Sequence, residues 1–134
     1  MSPQFLLDTH IAVRWLAAPK NLSREQTRVL HDAVRRREPV AVSAITLLDI
    51  AVLFGKVSTR GDIPLDELLG ELESSPAFQI VPLTVDVAAE VGALGGALRD
   101  PADRAIVATA RVRRLRLLTS DQRIIDSGLV PVVA

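Results

Sequence analysis

The sequence predicts an α/β protein with a largely parallel sheet, and three observations carry that expectation. Short apolar runs of strand length alternate along the chain with longer segments of helical spacing. The 134 residues are 49% hydrophobic and 24% charged, the balance of one ordinary globular domain, here residues 1–134. No repeat, low-complexity stretch or linker interrupts it. A domain of this size buries about two thirds of the surface its unfolded chain exposes, so it folds without covalent or metal staples. Cys is absent, which removes disulfides, thiolate metal sites and thiol catalysis together.

Taken in order, Phe5 to Leu7 is a short apolar strand stopped by Asp8, and Ile11 to Ala17 reads as a helix that buries Trp15 and Leu16. Ser23 with Gln26 three residues later is a capping box. Val29, Leu30, Ala33 and Val34 then keep helical spacing until Arg35, Arg36 and Arg37 place cations at the negative end of the helix dipole. Val40 to Val42 is the second strand, Ser43 an N-cap, and Ala44 to Phe54 a helix closed by Gly55. Gly61 to Pro64 is the main loop. Leu65 to Leu72 is amphipathic, Phe78 to Val81 a strand, and Val85 to Leu94 a helix ended by Gly95 and Gly96. Pro101 suits the first turn of the next helix; Leu117 and Leu118 form a strand that runs into Thr119, Ser120 and Asp121; Val130 to Val133 is the last strand.

Composition narrows the function classes. Sixteen basic and sixteen acidic residues leave no net charge, so no global field draws the protein to nucleic acid or anionic lipid, and any such contact is local. The start MSPQFLLDTH lacks the basic flank and apolar length of a signal peptide, and no uncharged stretch is long enough to span a membrane. A cytoplasmic protein without membrane partners is the expectation. Aromatics are 3%, with no Tyr, which disfavours a base-stacking surface.

Five carboxylates stand out. Asp8 follows a strand, where capping the next helix is a sufficient reason for it. Asp49 interrupts a helix that is apolar on every side except Thr46; a carboxylate enclosed there needs a cation, whether an Arg or a metal, unless it points out through a gap. Asp100 and Asp103 flank Pro101 as N-cap and N3 of a helix, and capping alone accounts for them. Asp121 follows a strand through a Thr-Ser turn.

Their joint placement says more than any one of them. Asp8 and Asp121 follow strands, while Asp49 and Asp103 lie near the starts of helices that follow sheet-side segments. In a parallel sheet these positions share the rim at the carboxyl ends of the strands, where such folds put their sites. Carboxylates gathered there repel one another unless a multivalent cation compensates, and hard oxygen donors suit Mg²⁺ or Mn²⁺. A metal on an open rim lowers the pKa of a bound water and neutralises a phosphate, which suits phosphodiester hydrolysis without a protein nucleophile. His10 and His31 lie in helical segments and read as structural or solvent-facing.

FLLDTHIAVRWL, SAITLLDIAVLFGK, DPADRAIVATA and LLTSDQRI, in this order and spacing, resemble the four motifs of the PIN-domain ribonucleases, in particular the VapC toxins of bacterial toxin–antitoxin pairs. The resemblance spans nearly the whole chain. It implies a PIN-like three-layer fold, an Mg²⁺- or Mn²⁺-dependent endoribonuclease acting on RNA, a homodimer, and a cognate VapB-type antitoxin. Position by position, it makes Asp8, Asp49, Asp103 and Asp121 the acidic cluster, Thr9 and Thr119 its small polar supports, and Asp100 and Ser120 outer members. One departure is that the second motif of the family usually carries Glu where this chain has Asp49, about 1.5 Å shorter in reach.

That departure leaves a second reading open, a catalytically impaired PIN fold that binds RNA or an antitoxin, and Asp49→Glu separates the two. Arg111, Arg113, Arg114 and Arg116 are the densest basic run, either an RNA track or a solvated helix end, and Arg14 and Arg104 are candidate site neighbours. A phosphoacceptor receiver domain is disfavoured because the only Lys residues are Lys20 and Lys56. A haloacid-dehalogenase-type phosphatase would end its first strand in paired Asp residues, and here the residues are Asp8, Thr9 and His10.

Overall fold

The computed structural model describes residues 2–55 and 63–134. Its elements are β1 (Phe5–Leu7), α1 (Thr9–Ala17), a 3-10 turn (Pro19–Asn21), α2 (Arg24–Arg35), β2 (Val40–Ser43), α3 (Ala44–Phe54), α4 (Leu65–Ser74), β3 (Phe78–Val81), α5 (Val85–Ala93), α6 (Pro101–Arg113), β4 (Arg116–Leu118), α7 (Gln122–Ser127) and β5 (Val132–Val133). The strands form one sheet in the order β3-β2-β1-β4-β5, with each pairing parallel.

The side chains of the sheet alternate between its faces with period two. Leu6, Ala41 and Leu117 stand in register and pack against Val87, Ile106, Val107 and Ile124 from α5, α6 and α7. Leu7, Val42 and Leu118 face the other way and pack with Ile11, Leu30, Ile50 and Leu72 from α1 to α4. Each fully buried aliphatic side chain contributes about 1.5–3 kcal/mol relative to exposure, so both helical layers are anchored. Trp15 meets Phe78 edge-on with ring centroids 5.3 Å apart.

Topology positions the site. From β1 the chain steps outward through β2 to β3, then crosses back to lay β4 and β5 on the opposite side of β1. The carboxyl ends of β1 and β4 therefore border the crevice where the winding direction reverses, the place at which open parallel sheets accommodate ligands.

Local chemistry sets most boundaries. The capping box is complete: the Gln26 N–H donates to Ser23 Oγ at 3.0 Å and the Ser23 N–H donates to Gln26 Oε1 at 3.0 Å. Helix α1 begins at Thr9, two residues before the expected start, because Asp8 caps it. Helix α7 was not expected. Its six residues are too few to show a period; Asp121 caps its start, and Gly128, with φ of 64°, ends it. The residues it occupies delay β5 to Val132–Val133, where the sequence predicts a strand from Val130. Of the expected loop at 61–64, Gly61 and Asp62 lie outside the described residues, while Ile63 and Pro64 lead into α4. Among the described residues, no helix is long and apolar enough to cross a membrane.

Helix α3 is not enclosed on every side, contrary to the expectation from its apolar composition. Leu48, Val52 and Leu53 are exposed, with Val52 at 68%, while Thr46 and Ile50 are buried and Ile45, Leu47 and Phe54 pack partly buried against the core. The apolar composition of α3 thus does not report its burial.

Candidate functional site

Asp8 ends β1 at the centre of the sheet, and only 6% of its surface is exposed. One carboxylate oxygen caps α1 by accepting the Ile11 N–H at 2.9 Å. The other accepts a hydrogen bond from the Thr119 hydroxyl. Burial pushes the Asp8 carboxyl above the usual range, against the stabilising effect of these two bonds, and Asp121 adds repulsion.

Thr119 links the two strand ends. Its hydroxyl donates to Asp8 and accepts the Asp121 N–H at 3.1 Å, so one buried side chain sets the spacing between two of the carboxylates. Gln26 reaches the same turn from α2, donating to the carbonyl oxygens of Thr119 and Val133 at 3.2 Å each. Ser120 is exposed and accepts from the Arg14 guanidinium at 3.2 Å. Thr9 is buried beside Asp8, and its hydroxyl lies 3.3 Å from that of Thr46.

Asp103 comes to this rim on the first turn of α6. Asp100 caps that helix by accepting the Asp103 N–H at 3.3 Å, and the Pro101 between them suits the first helical position. The Asp103 carboxyl makes no hydrogen bond or ion pair among the described residues. Burial raises its pKa to about 6, with further repulsion from Asp100, Asp121 and Asp8 and partial relief from Arg123. Asp8, Asp103 and Asp121 thus sense one another's charge across the ends of β1, β4 and α6.

Asp121 is the low member of the group. The Arg123 guanidinium binds both of its carboxylate oxygens, Nε to Oδ1 at 3.3 Å and Nη2 to Oδ2 at 3.1 Å, and this holds the carboxyl below its ordinary value. Beside this pair lies a cleft of about 170 Å³ lined by Ala97, Leu98, Arg99, Asp100, Asp103 and Arg123. A wider concavity of about 620 Å³ along α2 shares none of these residues.

Asp49 comes from α3. It is half-buried on α3, one turn beyond the Thr46 that meets Thr9, and makes no hydrogen bond or ion pair among the described residues. With Leu48, Val52 and Leu53 exposed, Asp49 is not enclosed and needs no partner on that ground.

The densest arginine run is not at the rim. Helix α6 runs away from Asp103 and carries Arg111 and Arg113 about 12–15 Å along the axis toward the opposite edge of the sheet. Arg111 pairs there with Glu90 at 2.5 Å, Arg114 closes the helix with φ of 57°, and Arg116 opens β4. Among the described residues, Arg14, Arg99 and Arg123 are cations at the rim. Arg104 is structural: its guanidinium donates to the carbonyl oxygens of Val91, Gly95 and Leu98 at 2.6–2.7 Å and so pins the segment leading to Asp100. His10 and His31 are exposed.

Sequence reasoning missed Arg123, the buried span of Gln26 and the Thr9–Thr46 contact. The Gln26 signal was present as a capping box, but its partners 93 and 107 residues away left no local trace.

The donor set fits a hard divalent cation in its chemistry: three carboxylates with oxygen-only donors, two of them pushed toward the neutral form by burial and mutual repulsion. It is not preassembled. Among the described residues, no three acidic or His groups stand close enough to cage an ion, and Asp121 is engaged by Arg123.

Comparison with known proteins agrees with this architecture. Residues 5–127 match the PIN domain family. The chain is 35% identical over 120 residues to Ribonuclease VapC22 of Mycobacterium tuberculosis, covering 89% of this chain and 88% of that relative. Among solved structures it is similar to FitAcB from Neisseria gonorrhoeae, at TM-score 0.68 and 26% identity over 97% of this chain and 96% of that one. It also shares the fold of VapBC2 from Rickettsia felis bound to a DNA fragment from its promoter, at TM-score 0.73 and 16% identity over 96% of both chains.

Proposed function

This chain belongs to the PIN-domain family as a VapC-type toxin, and from that premise we propose that it is a divalent-cation-dependent endoribonuclease, restrained by a cognate antitoxin. The observation that supports the reading is the repulsion that Asp8, Asp103 and Asp121 exert on one another beside the reversal point between β1 and β4, with two of the three carboxyls raised chiefly by burial.

Asp8, Asp103 and Asp121 would hold Mg²⁺ or Mn²⁺, and Asp49 assists from α3 through a water that its shorter side chain leaves room for. The cation would neutralise the scissile phosphate and activate water for attack on phosphorus. Every other role belongs to the chain itself. Thr119 orients Asp8 and the Asp121 backbone through its hydroxyl. Thr9 braces the start of α1 against α3 through Thr46, and Asp100 fixes the start of α6 and with it the height of Asp103. Ser120 holds Arg14 at the rim, where that guanidinium and Arg99 meet the RNA backbone as local cations on a chain of no net charge. The soluble toxin acts as a homodimer in the cytoplasm. A toxin–antitoxin complex from Klebsiella pneumoniae shares this fold, and the similarity supports a VapB-type partner.

The test is cleavage of total cellular RNA by the purified, antitoxin-free protein, with new 5′ ends mapped by sequencing in Mg²⁺ or Mn²⁺ against EDTA. Discrete cuts that need the cation and vanish in Asp8→Asn are expected; Asn retains N-cap chemistry, so the variant folds. Cleavage undiminished in Asp8→Asn, or undiminished in EDTA, overturns the reading.

A further inference from the structure

We propose that Arg123 is a resident counter-ion of the carboxylate site, which competes with the divalent cation for Asp121 and so sets the cation concentration at which the site loads. The inference rests on the cation-binding reading above and deepens it.

Three observations support it. Two of the three guanidinium nitrogens of Arg123 go to the two oxygens of Asp121, so this carboxylate has no free oxygen on the side facing its guanidinium. The pair is not a distant surface contact, because Arg123 also lines the cleft that Asp100 and Asp103 share and its charge acts on both of them. Finally, no three acidic groups among the described residues stand in a ready cage, although Asp8 and Asp103 lie within reach of the Asp121 charge.

The guanidinium can leave cheaply. The Arg123 side chain is 76% exposed and that of Asp121 only 26%, so the Arg regains water on release while the carboxylate stays at the rim. Exposed ion pairs of this kind are weak and screened by salt. The Arg123 backbone N–H donates separately to Asp121 Oδ1 at 2.9 Å. That bond caps α7 and survives any change of the side chain, so a variant at Arg123 alters the local charge without removing the cap.

The experiment measures Mn²⁺ binding to the full-length protein by titration calorimetry at low salt, with melting temperature recorded alongside. Arg123→Gln is expected to bind Mn²⁺ about three- to tenfold more tightly than the wild type, as loss of one unit charge within a few ångströms of a divalent ion implies at near-solvent dielectric. Arg123→Lys keeps the charge but loses the fork and should fall between them. Unchanged or weaker binding by a folded Arg123→Gln overturns the inference while leaving the cation site standing. If neither protein binds Mn²⁺ at millimolar concentration, the cation-binding reading fails and the inference with it. Binding by Arg123→Gln alone supports both.

Discussion

Replacing Asp103 with Asn tests the electrostatics of the site by stability alone. The Asp103 carboxyl carries a pKa of about 6, against an ordinary value of 3.8, chiefly through burial and then through Asp100 and Asp121. A carboxyl whose pKa rises on folding is easier to ionise in the unfolded chain, so its contribution is intact below about pH 4 and is lost as the pH climbs through 6. At full weight this two-unit rise corresponds to about 3 kcal/mol. Roughly half the group faces solvent, which screens it, and as N3 of α6 it also gains about 0.5 kcal/mol from the helix dipole that Asn forgoes. Asp103→Asn should therefore stabilise the cation-free protein by about 1 kcal/mol at pH 7.5, or 3 to 4 °C in melting temperature for a chain of this length.

The assay is thermal melting in EDTA at several pH values from 7.5 toward 4, repeated in Mn²⁺. In EDTA the variant should melt above the wild type, with the gain shrinking as the pH falls and the wild-type carboxyl takes up its proton. Saturating Mn²⁺ should reverse the order, because a ligand at a hundred times its Kd adds about 2.7 kcal/mol to a protein that binds it and nothing to one that does not. A variant that melts below the wild type in EDTA at pH 7.5, or a gain that persists unchanged to pH 4, refutes the account of a crowded, cation-seeking rim.

Two further substitutions probe its supports. Thr119→Val keeps the side-chain shape but leaves a buried Asp8 oxygen without its donor, and should destabilise the protein by about 2 kcal/mol in urea unfolding at neutral pH; a change under about 0.5 kcal/mol would mean that the bond is not made. Arg104→Met removes the donors to three carbonyl oxygens and should cost about 2–4 kcal/mol, with hydrogen exchange accelerating first in Leu94 to Asp100. Exchange there equal to the wild type would show that Arg104 does not pin the segment before α6.

What could be read from the sequence divides along the range of the interaction concerned. The cap of α2 by Ser23, the start of α6 at Asp100 and Pro101, and the strand before Asp8 each rest on residues within three or four positions of one another, where a pattern of letters reflects a pattern of contacts. Asp8 and Asp121 could be assigned to one rim for the same reason, since each follows a strand and a parallel sheet aligns its strand ends. The bonds that join them are of another kind. Thr119 reaches Asp8 across 111 residues, and Gln26 reaches Val133 across 107. Such distances are closed by the sheet order, with β4 beside β1, and that order is fixed by the packing of whole layers.

Asp49 and Arg123 illustrate the same divide from opposite sides. The apolar sequence neighbours of Asp49 imply a partner for it unless it points out through a gap, but Leu48, Val52 and Leu53 face solvent, and apolar neighbours enclose a charge only when something packs over them. Arg123 carries no signal in the sequence, because an arginine two residues after an aspartate is common on surfaces. Its weight comes from the carboxylates that β1 and α6 bring up behind Asp121. In both cases the chemistry of the side chain is local and its consequence is set by the fold, so a charge in this site acquires meaning only when its non-local neighbours are known.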